Sequence, residues 1–240
     1  MQRRSLLAVA LLTLAALAQL HAQQAVQPQV APPPSAQSQT ATNRGEPNFD
    51  RWENAIAKIE ATSPREPGGI VFTGSSSIAR WTTMAKDFPG LPVRNHGFGG
   101  SIVAEVTHFA DRIVIPYQPR IVLFYAGDND LGAGRTPQQV AKDFQAFFKT
   151  VRTALPKTKI AFISIKPSVL RANLLEDMRK SNEIIKEWMA GQKNAAYIDV
   201  FTPMLDEHGM LRPELYVEDK LHMTRKGYDI WTRVVGPYLK

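Results

Sequence analysis

The chain has 240 residues, a formal charge of +7 and no cysteine. That length suits one domain with a sizeable core once the ends are trimmed. The lack of cysteine excludes a disulfide framework and a lipoprotein acylation site. The basic residues are scattered and no nucleic-acid motif accompanies them, so the excess charge reads as a solvated surface with no nucleic-acid partner.

Met1-Gln2-Arg3-Arg4 precedes an apolar run over 6–20, interrupted only by Thr13 and Gln19. A basic start, a short apolar stretch and small residues after it predict a secretory signal over 1–22, cleaved after Ala18 or Ala22. The run is short for a span of about 20 residues, so no stable membrane insertion is expected after its removal. Arg3-Arg4-Ser5-Leu6-Leu7 also looks like a twin-arginine export signal. A periplasmic or secreted location is the expectation. Residues 23–47 are mostly Gln, Pro, Ala, Ser and Thr around Ala31-Pro32-Pro33-Pro34. Such a stretch cannot bury a core and is expected to be a disordered linker. The folded domain is expected over 48–240.

Phe49, Trp52, Ile56 and Ile59 recur at helical spacing and predict an amphipathic helix over 49–61, ended by Pro64 and Pro67-Gly68-Gly69. A strand follows at 70–73, then a short helical piece at 78–86 carrying Trp81 and Met84. A second strand is expected at 91–94, ahead of the loop Asn95-His96-Gly97-Phe98-Gly99-Gly100-Ser101, and a helix at 102–115 stopping before Pro116. Residues 120–125 are the clearest buried strand. Pro137, well placed at a first helical position, starts a helix with Val140, Phe144, Phe147, Phe148 and Val151 on its apolar face. Then come a strand at 159–165, a helix at 174–189, a strand at 196–200 and an irregular segment at 201–220. A last helix is expected over 224–238, with Thr224 able to cap it. Alternating strands and helices predict an α/β fold, a three-layer α/β/α sandwich around a parallel sheet of about five strands. Right-handed crossovers place the strand C-termini along one rim.

That rim is where ligands bind in open α/β sheets. The first strand runs into Gly74-Ser75-Ser76-Ser77, the second into a Gly-rich loop, the third into Gly127-Asp128-Asn129-Asp130. Far along the chain, Asp219 and His222 stand three residues apart before the last helix. Alone, the serine cluster reads as a turn with a helix N-cap. Together these parts suit acyl transfer. A serine needs a base, His is the usual one near neutral pH, and its ring needs a carboxylate on the other nitrogen. The N–H groups of Ser76 and Gly100 and the Asn129 amide can supply three oxyanion donors.

At these residues the chain resembles the GDSL, or SGNH, hydrolase family of esterases and lipases. The family's four blocks read here as Gly74-Ser75-Ser76, Gly99-Gly100-Ser101, Gly127-Asp128-Asn129-Asp130 and Asp219-Lys220-Leu221-His222, and the resemblance covers about residue 48 to the C-terminus. It implies the flavodoxin-like SGNH hydrolase fold and no cofactor. It also implies Ser76 as nucleophile, Gly100 and Asn129 as oxyanion donors, His222 as base and Asp219 as its orienter. Two positions depart from the family pattern. Ser75 stands where the family keeps Asp, and Ser101 where an acidic or polar residue often follows the Gly. The choice of Ser76 over Ser75 and Ser77 rests on its register after Gly74. A short-chain acyl or acetyl ester of a small molecule or glycan is the expected substrate, with lysophospholipid or thioester substrates as the alternative.

Trp81, His96, Ile102 and Lys166 abut the rim and are expected either to line the substrate site or to serve as packing. His108 and His208 read as structural and turn residues. Asp128, Asp130, Asp219 and His222 can alternatively hold a divalent metal for phosphoester hydrolysis, although such an enzyme would not need the serine block. A glycan-binding module that keeps the fold without the chemistry is a third reading.

Overall fold

The computed structural model describes residues 45–240. The signal expected over 1–22, and all but the last three residues of the linker expected over 23–47, lie outside the described residues. A short 3₁₀ turn, Asp50–Trp52, leads into α1 (Glu53–Thr62), which buries Ile56 and Ile59. Then follow β1 (Ile70–Gly74), α2 (Ser76–Ala79), α3 (Met84–Asp87), β2 (Val93–Gly97), α4 (Val103–His108), α5 (Ala110–Ile113) and β3 (Ile121–Tyr125). The second half holds α6 (Asp128–Gly132), α7 (Pro137–Ala154), β4 (Lys159–Ile163), α8 (Leu175–Ala190), β5 (Ala195–Ile198) and α9 (Arg225–Val235).

The five strands form one parallel sheet in the order β2-β1-β3-β4-β5. The strand side chains alternate between two cores. Val71, Val122, Phe124, Ile160 and Phe162 face a cluster that includes α1, α4, α5, α7 and α8 residues. Phe72, Leu123, Tyr125 and Ile163 face the other, with Trp81, Met84, Phe88, Tyr228 and Trp231. Buried on both faces, the strands read as near-continuous apolar runs, as a covered parallel sheet requires. Burying apolar surface at about 25 cal/mol per Å² drives this layering.

Several helical expectations resolve differently. The piece expected over 78–86 is two single turns, because the chain bends at Trp81 to put that ring among Phe72, Phe88, Tyr228 and Trp231. The helix expected over 102–115 breaks at Phe109, and Pro116 lies in a 3₁₀ turn, Ile115–Tyr117. Pro137 does open α7, where Thr136 Oγ1 accepts from Gln139 N–H at 3.2 Å and Gln139 reaches back to Thr136 N–H at 2.7 Å, a capping box. Thr224 precedes α9 without capping it through its side chain; its hydroxyl donates to Glu214 O at 3.1 Å instead.

The register sets the rim. Gly74 pairs with Gly97 on one side and with Tyr125 on the other, so β1, β2 and β3 end in one row. Gly74 has φ +132°, and a Cβ there would lie 1.8 Å from Tyr125 O. Only glycine can end β1 that close to β3 and turn away from the sheet.

Candidate active site

Ser76 is the first residue of α2, directly beyond β1. Ser75 is extended, its N–H donates to Tyr125 O at 2.9 Å, and its carbonyl accepts from Ile78 N–H and Ala79 N–H. The Ser76 N–H therefore stands at a helix N-terminus, where the first N–H groups have no intrahelical acceptor. Ser76 is 9% exposed, Ser77 2% and Ser75 0%; the Ser75 hydroxyl is buried with no hydrogen-bond partner among the described residues.

The Gly block rests on this serine. Phe98 N–H donates to Gly74 O at 2.9 Å, and a Cβ on Gly99 would lie 3.7 Å from Ser76 Cβ. Gly100 turns at φ +88°, a conformation that favours glycine. Two buried carboxylates pin the following turn: Glu105 accepts from Ile102 N–H and Asn48 N–H, and Asp130 accepts from Val103 N–H. Burial pushes the Asp130 carboxyl up to about 7 despite that bond.

Asn129 joins the β3 end to the Gly block. Its Nδ2 donates to Ser101 O at 3.0 Å, and its Oδ1 accepts from Arg171 Nη2 at 2.9 Å. Arg171 Nη1 lies 3.0 Å from Asp128 Oδ2. Sequence reading missed Arg171. It stands 42 residues from Asn129 in a loop with no motif, so no sequence signal points to it.

Asp219 and His222 meet in the segment before α9. Asp219 Oδ2 is 2.6 Å from His222 Nδ1, while Oδ1 accepts from Leu221 N–H at 2.9 Å and His222 N–H at 2.8 Å. Burial alone would raise this carboxyl, but the bonds from the His222 ring and the two N–H groups outweigh it and hold Asp219 well below the usual carboxylate range. Because a carboxylate only accepts, it holds the ring proton on Nδ1 and leaves Nε2 as an acceptor. Lys166 Nζ donates to Leu221 O at 2.9 Å, Leu170 N–H to Lys220 O at 3.0 Å and Val217 N–H to His222 O at 2.8 Å. From α9, Tyr228 OH donates to Ser77 O at 3.1 Å, which ties the helix after His222 to the serine turn. Among the described residues no hydrogen bond joins Ser76 to His222; such bonds commonly close only around a substrate.

The four residues expected either to line the site or to serve as packing are all buried. Trp81 is in the core, its Nε1 donating to Asp87 Oδ2 at 2.6 Å. His96 lies in β2 rather than in the rim loop, because pairing with β1 carries that strand on to Gly97. Its ring is buried between Ser63 Oγ (2.7 Å) and Ile113 O (2.5 Å), and burial pulls it down to about 4. Ile102 is buried where the chain enters α4. Lys166 is buried, with Nζ on Leu221 O and 3.9 Å from Asp128 Oδ2; burial pulls it down to about 8. His108 stacks on Phe49 at 3.8 Å, and His208 is exposed. Each carboxylate of the metal alternative has a protein partner: Asp128 faces Arg171, Asp130 holds Val103 N–H and Asp219 holds His222. No group of three or more acidic or histidine side chains converges as a metal site among the described residues. A cleft of about 390 Å³ between α8 and β5 includes none of Ser76, Asn129 or His222.

Residues 63–230 match the family model of the GDSL-like lipase/acylhydrolase family. The chain is 25% identical over 187 residues to the Bos taurus platelet-activating factor acetylhydrolase IB subunit alpha1, covering 74% of this chain and 78% of that protein. A GDSL-like lipase from Bacteroides thetaiotaomicron superposes with TM-score 0.63 at 20% identity, over 80% of this chain and 97% of that one. An acetyl-xylooligosaccharide esterase from Geobacillus superposes with TM-score 0.58 at 14% identity, over 74% and 96%. With the family model spanning the sheet, the serine turn and most of α9, the chain belongs to the GDSL-like lipase/acylhydrolase family and is a hydrolase acting on ester bonds.

Proposed function

We propose that this protein is an exported serine esterase that removes short acyl groups, acetyl above all, from small-molecule or glycan alcohols. The observation that supports the reading is the Asp219–His222 pair, which leaves Nε2 able to take a proton, with Tyr228 of the following helix bonded to Ser77 O beside Ser76. In this mechanism His222 Nε2 accepts the Ser76 hydroxyl proton as Oγ attacks the ester carbonyl. The negative charge that develops on the carbonyl oxygen is held by the N–H groups of Ser76 and Gly100 and by Asn129 Nδ2. The imidazolium, stabilised by Asp219, returns its proton to the departing alcohol. Water then attacks the acyl-serine by the same route and releases the acid. Each O–H bond broken gives its proton to His222 and each C–O bond broken takes one back, so the cycle balances without a cofactor.

Acetyl is the part common to the names of the bovine and Geobacillus relatives, whereas their alcohols differ. No described helix is long and apolar enough to cross a membrane. Export rests on the N-terminal basic and apolar pattern. The test is an acyl-length series of nitrophenyl esters together with acetylated xylo-oligosaccharide. Rates should peak at acetyl and vanish in Ser76→Ala. A maximum at long chains refutes the acetyl reading, and wild-type rates in Ser76→Ala reject Ser76 as the nucleophile. Export is checked by fractionating cells that carry the full chain.

A further inference from the structure

Asn129 sits in a contact that only one orientation of its amide satisfies. Arg171 has donors alone, and Ser101 O is an acceptor alone. With Oδ1 on Arg171 Nη2 (2.9 Å) and Nδ2 on Ser101 O (3.0 Å), both contacts are hydrogen bonds. Turned over, the amide would set donor against donor and oxygen against oxygen. Arg171 is itself fixed. Its Nη1 lies 3.0 Å from the buried Asp128 Oδ2, and its guanidinium lies along α6, where a Cβ on Gly132 would come 3.0 Å from Nε. The loop that carries Arg171 is held in turn to the histidine segment by Lys166 on Leu221 O, Leu170 N–H on Lys220 O and Tyr216 OH on Pro167 O.

We infer that Arg171 is a positioning residue for the reaction: it sets the Asn129 amide so that one Nδ2 hydrogen holds Ser101 O and the second is free for the substrate oxyanion. This rests on the reading of Asn129 as an oxyanion donor. Arg171 acts through Asn129, its two Nη atoms facing Asn129 and Asp128. The same loop bonds to the segment between Asp219 and His222, so one connection spaces the oxyanion donor and the base. Lysine cannot replace the fork, because one ammonium cannot serve Asp128 and Asn129 in the same plane.

The test is a double-mutant cycle on the full chain, using nitrophenyl acetate, with Arg171→Gln, Arg171→Lys, Asn129→Ala and the double variant Arg171→Gln/Asn129→Ala. Arg171→Gln should lower kcat about 10- to 100-fold with KM within about 3-fold, because the lost interaction belongs to the transition state. Arg171→Lys should recover only part of that loss. In the Asn129→Ala background, Arg171→Gln should cost less than about 2-fold more, since coupled residues do not add. Equal losses in both backgrounds overturn the inference, as does a raised KM at constant kcat. The side-chain amide signal of Asn129 in a ¹⁵N spectrum, identified by its loss in Asn129→Ala, reports the contact without catalysis. It should move in Arg171→Gln, and a fixed signal overturns the inference. A moved signal in a protein inert towards esters would sink the esterase reading while leaving the positioning role intact.

Discussion

Replacing Asp219 by Asn separates the charge of the carboxylate from its shape. In the structure Oδ1 carries Leu221 N–H and His222 N–H, and Oδ2 alone faces the His222 ring at 2.6 Å. Asparagine can keep Oδ1 on the two backbone groups, which puts its NH₂ against Nδ1. That nitrogen must then accept, the proton moves to Nε2, and the ring can no longer take the Ser76 proton. The lost charge adds to this. An ion pair at about 4 Å is worth about 4 kcal/mol at an effective dielectric of 20 and about 1 kcal/mol in water. The Asp219 side chain is 43% exposed, so its effect on the imidazolium lies between these limits. With the tautomer penalty added, kcat should fall ~10²- to 10⁴-fold while KM stays within about 3-fold. Asp219→Ala should fall no further, because a free ring can still adopt the productive tautomer part of the time. The assay is steady-state hydrolysis of nitrophenyl acetate, with thermal melting to confirm folding. If Asp219→Asn folds and keeps more than a tenth of the wild-type kcat, the tautomer reasoning is wrong.

Two further predictions concern buried polar groups. The Ser75 hydroxyl has no partner among the described residues, so Ser75→Ala should leave kcat within about 3-fold and stability unchanged or up to about 1 kcal/mol higher. Ser77→Ala should also remain active. An inactive Ser75→Ala or Ser77→Ala beside an active Ser76→Ala would move the nucleophile to that neighbour. For His96, burial depresses the folded value to about 4 from its ordinary 6.5, with the Ile113 carbonyl opposing and Arg94 reinforcing the shift. The unfolded chain therefore takes up this proton first. The stabilising contribution is complete above about pH 6.5 and is lost as the pH falls towards 4, by up to about 3 kcal/mol. Denaturant unfolding at intervals across that window should show a shallower pH slope in His96→Asn than in the wild type, and equal slopes would refute the role.

The alternation of strands and helices was legible because its signals are local. Apolar runs such as Ile121–Tyr125 and the spacing of Val140, Phe144 and Phe148 follow from backbone period alone. The rim was legible for the same reason: a parallel sheet delivers the ends of β1 and β3, Gly74 and Tyr125, side by side once those strands are placed. Local signals failed at β2. Asn95-His96-Gly97 has little strand propensity, yet pairing with Thr73 and Gly74 extends the strand and buries His96. They left open whether Trp81 and Lys166 pack or line the site; the side chains turn to the core ring cluster and to Leu221 O.

Residue identity and order along the chain thus determine the elements, their layering and which short blocks stand at the strand ends. The contacts between those blocks are a different matter. Arg171 on Asn129, Asp130 on Val103 N–H and Tyr228 on Ser77 O span 42, 27 and 151 residues. Each depends on how far a side chain reaches across the rim after the sheet has formed. Hydrogen bonds select partners by distance in space, to within about 3 Å, and carry no period that a sequence could display.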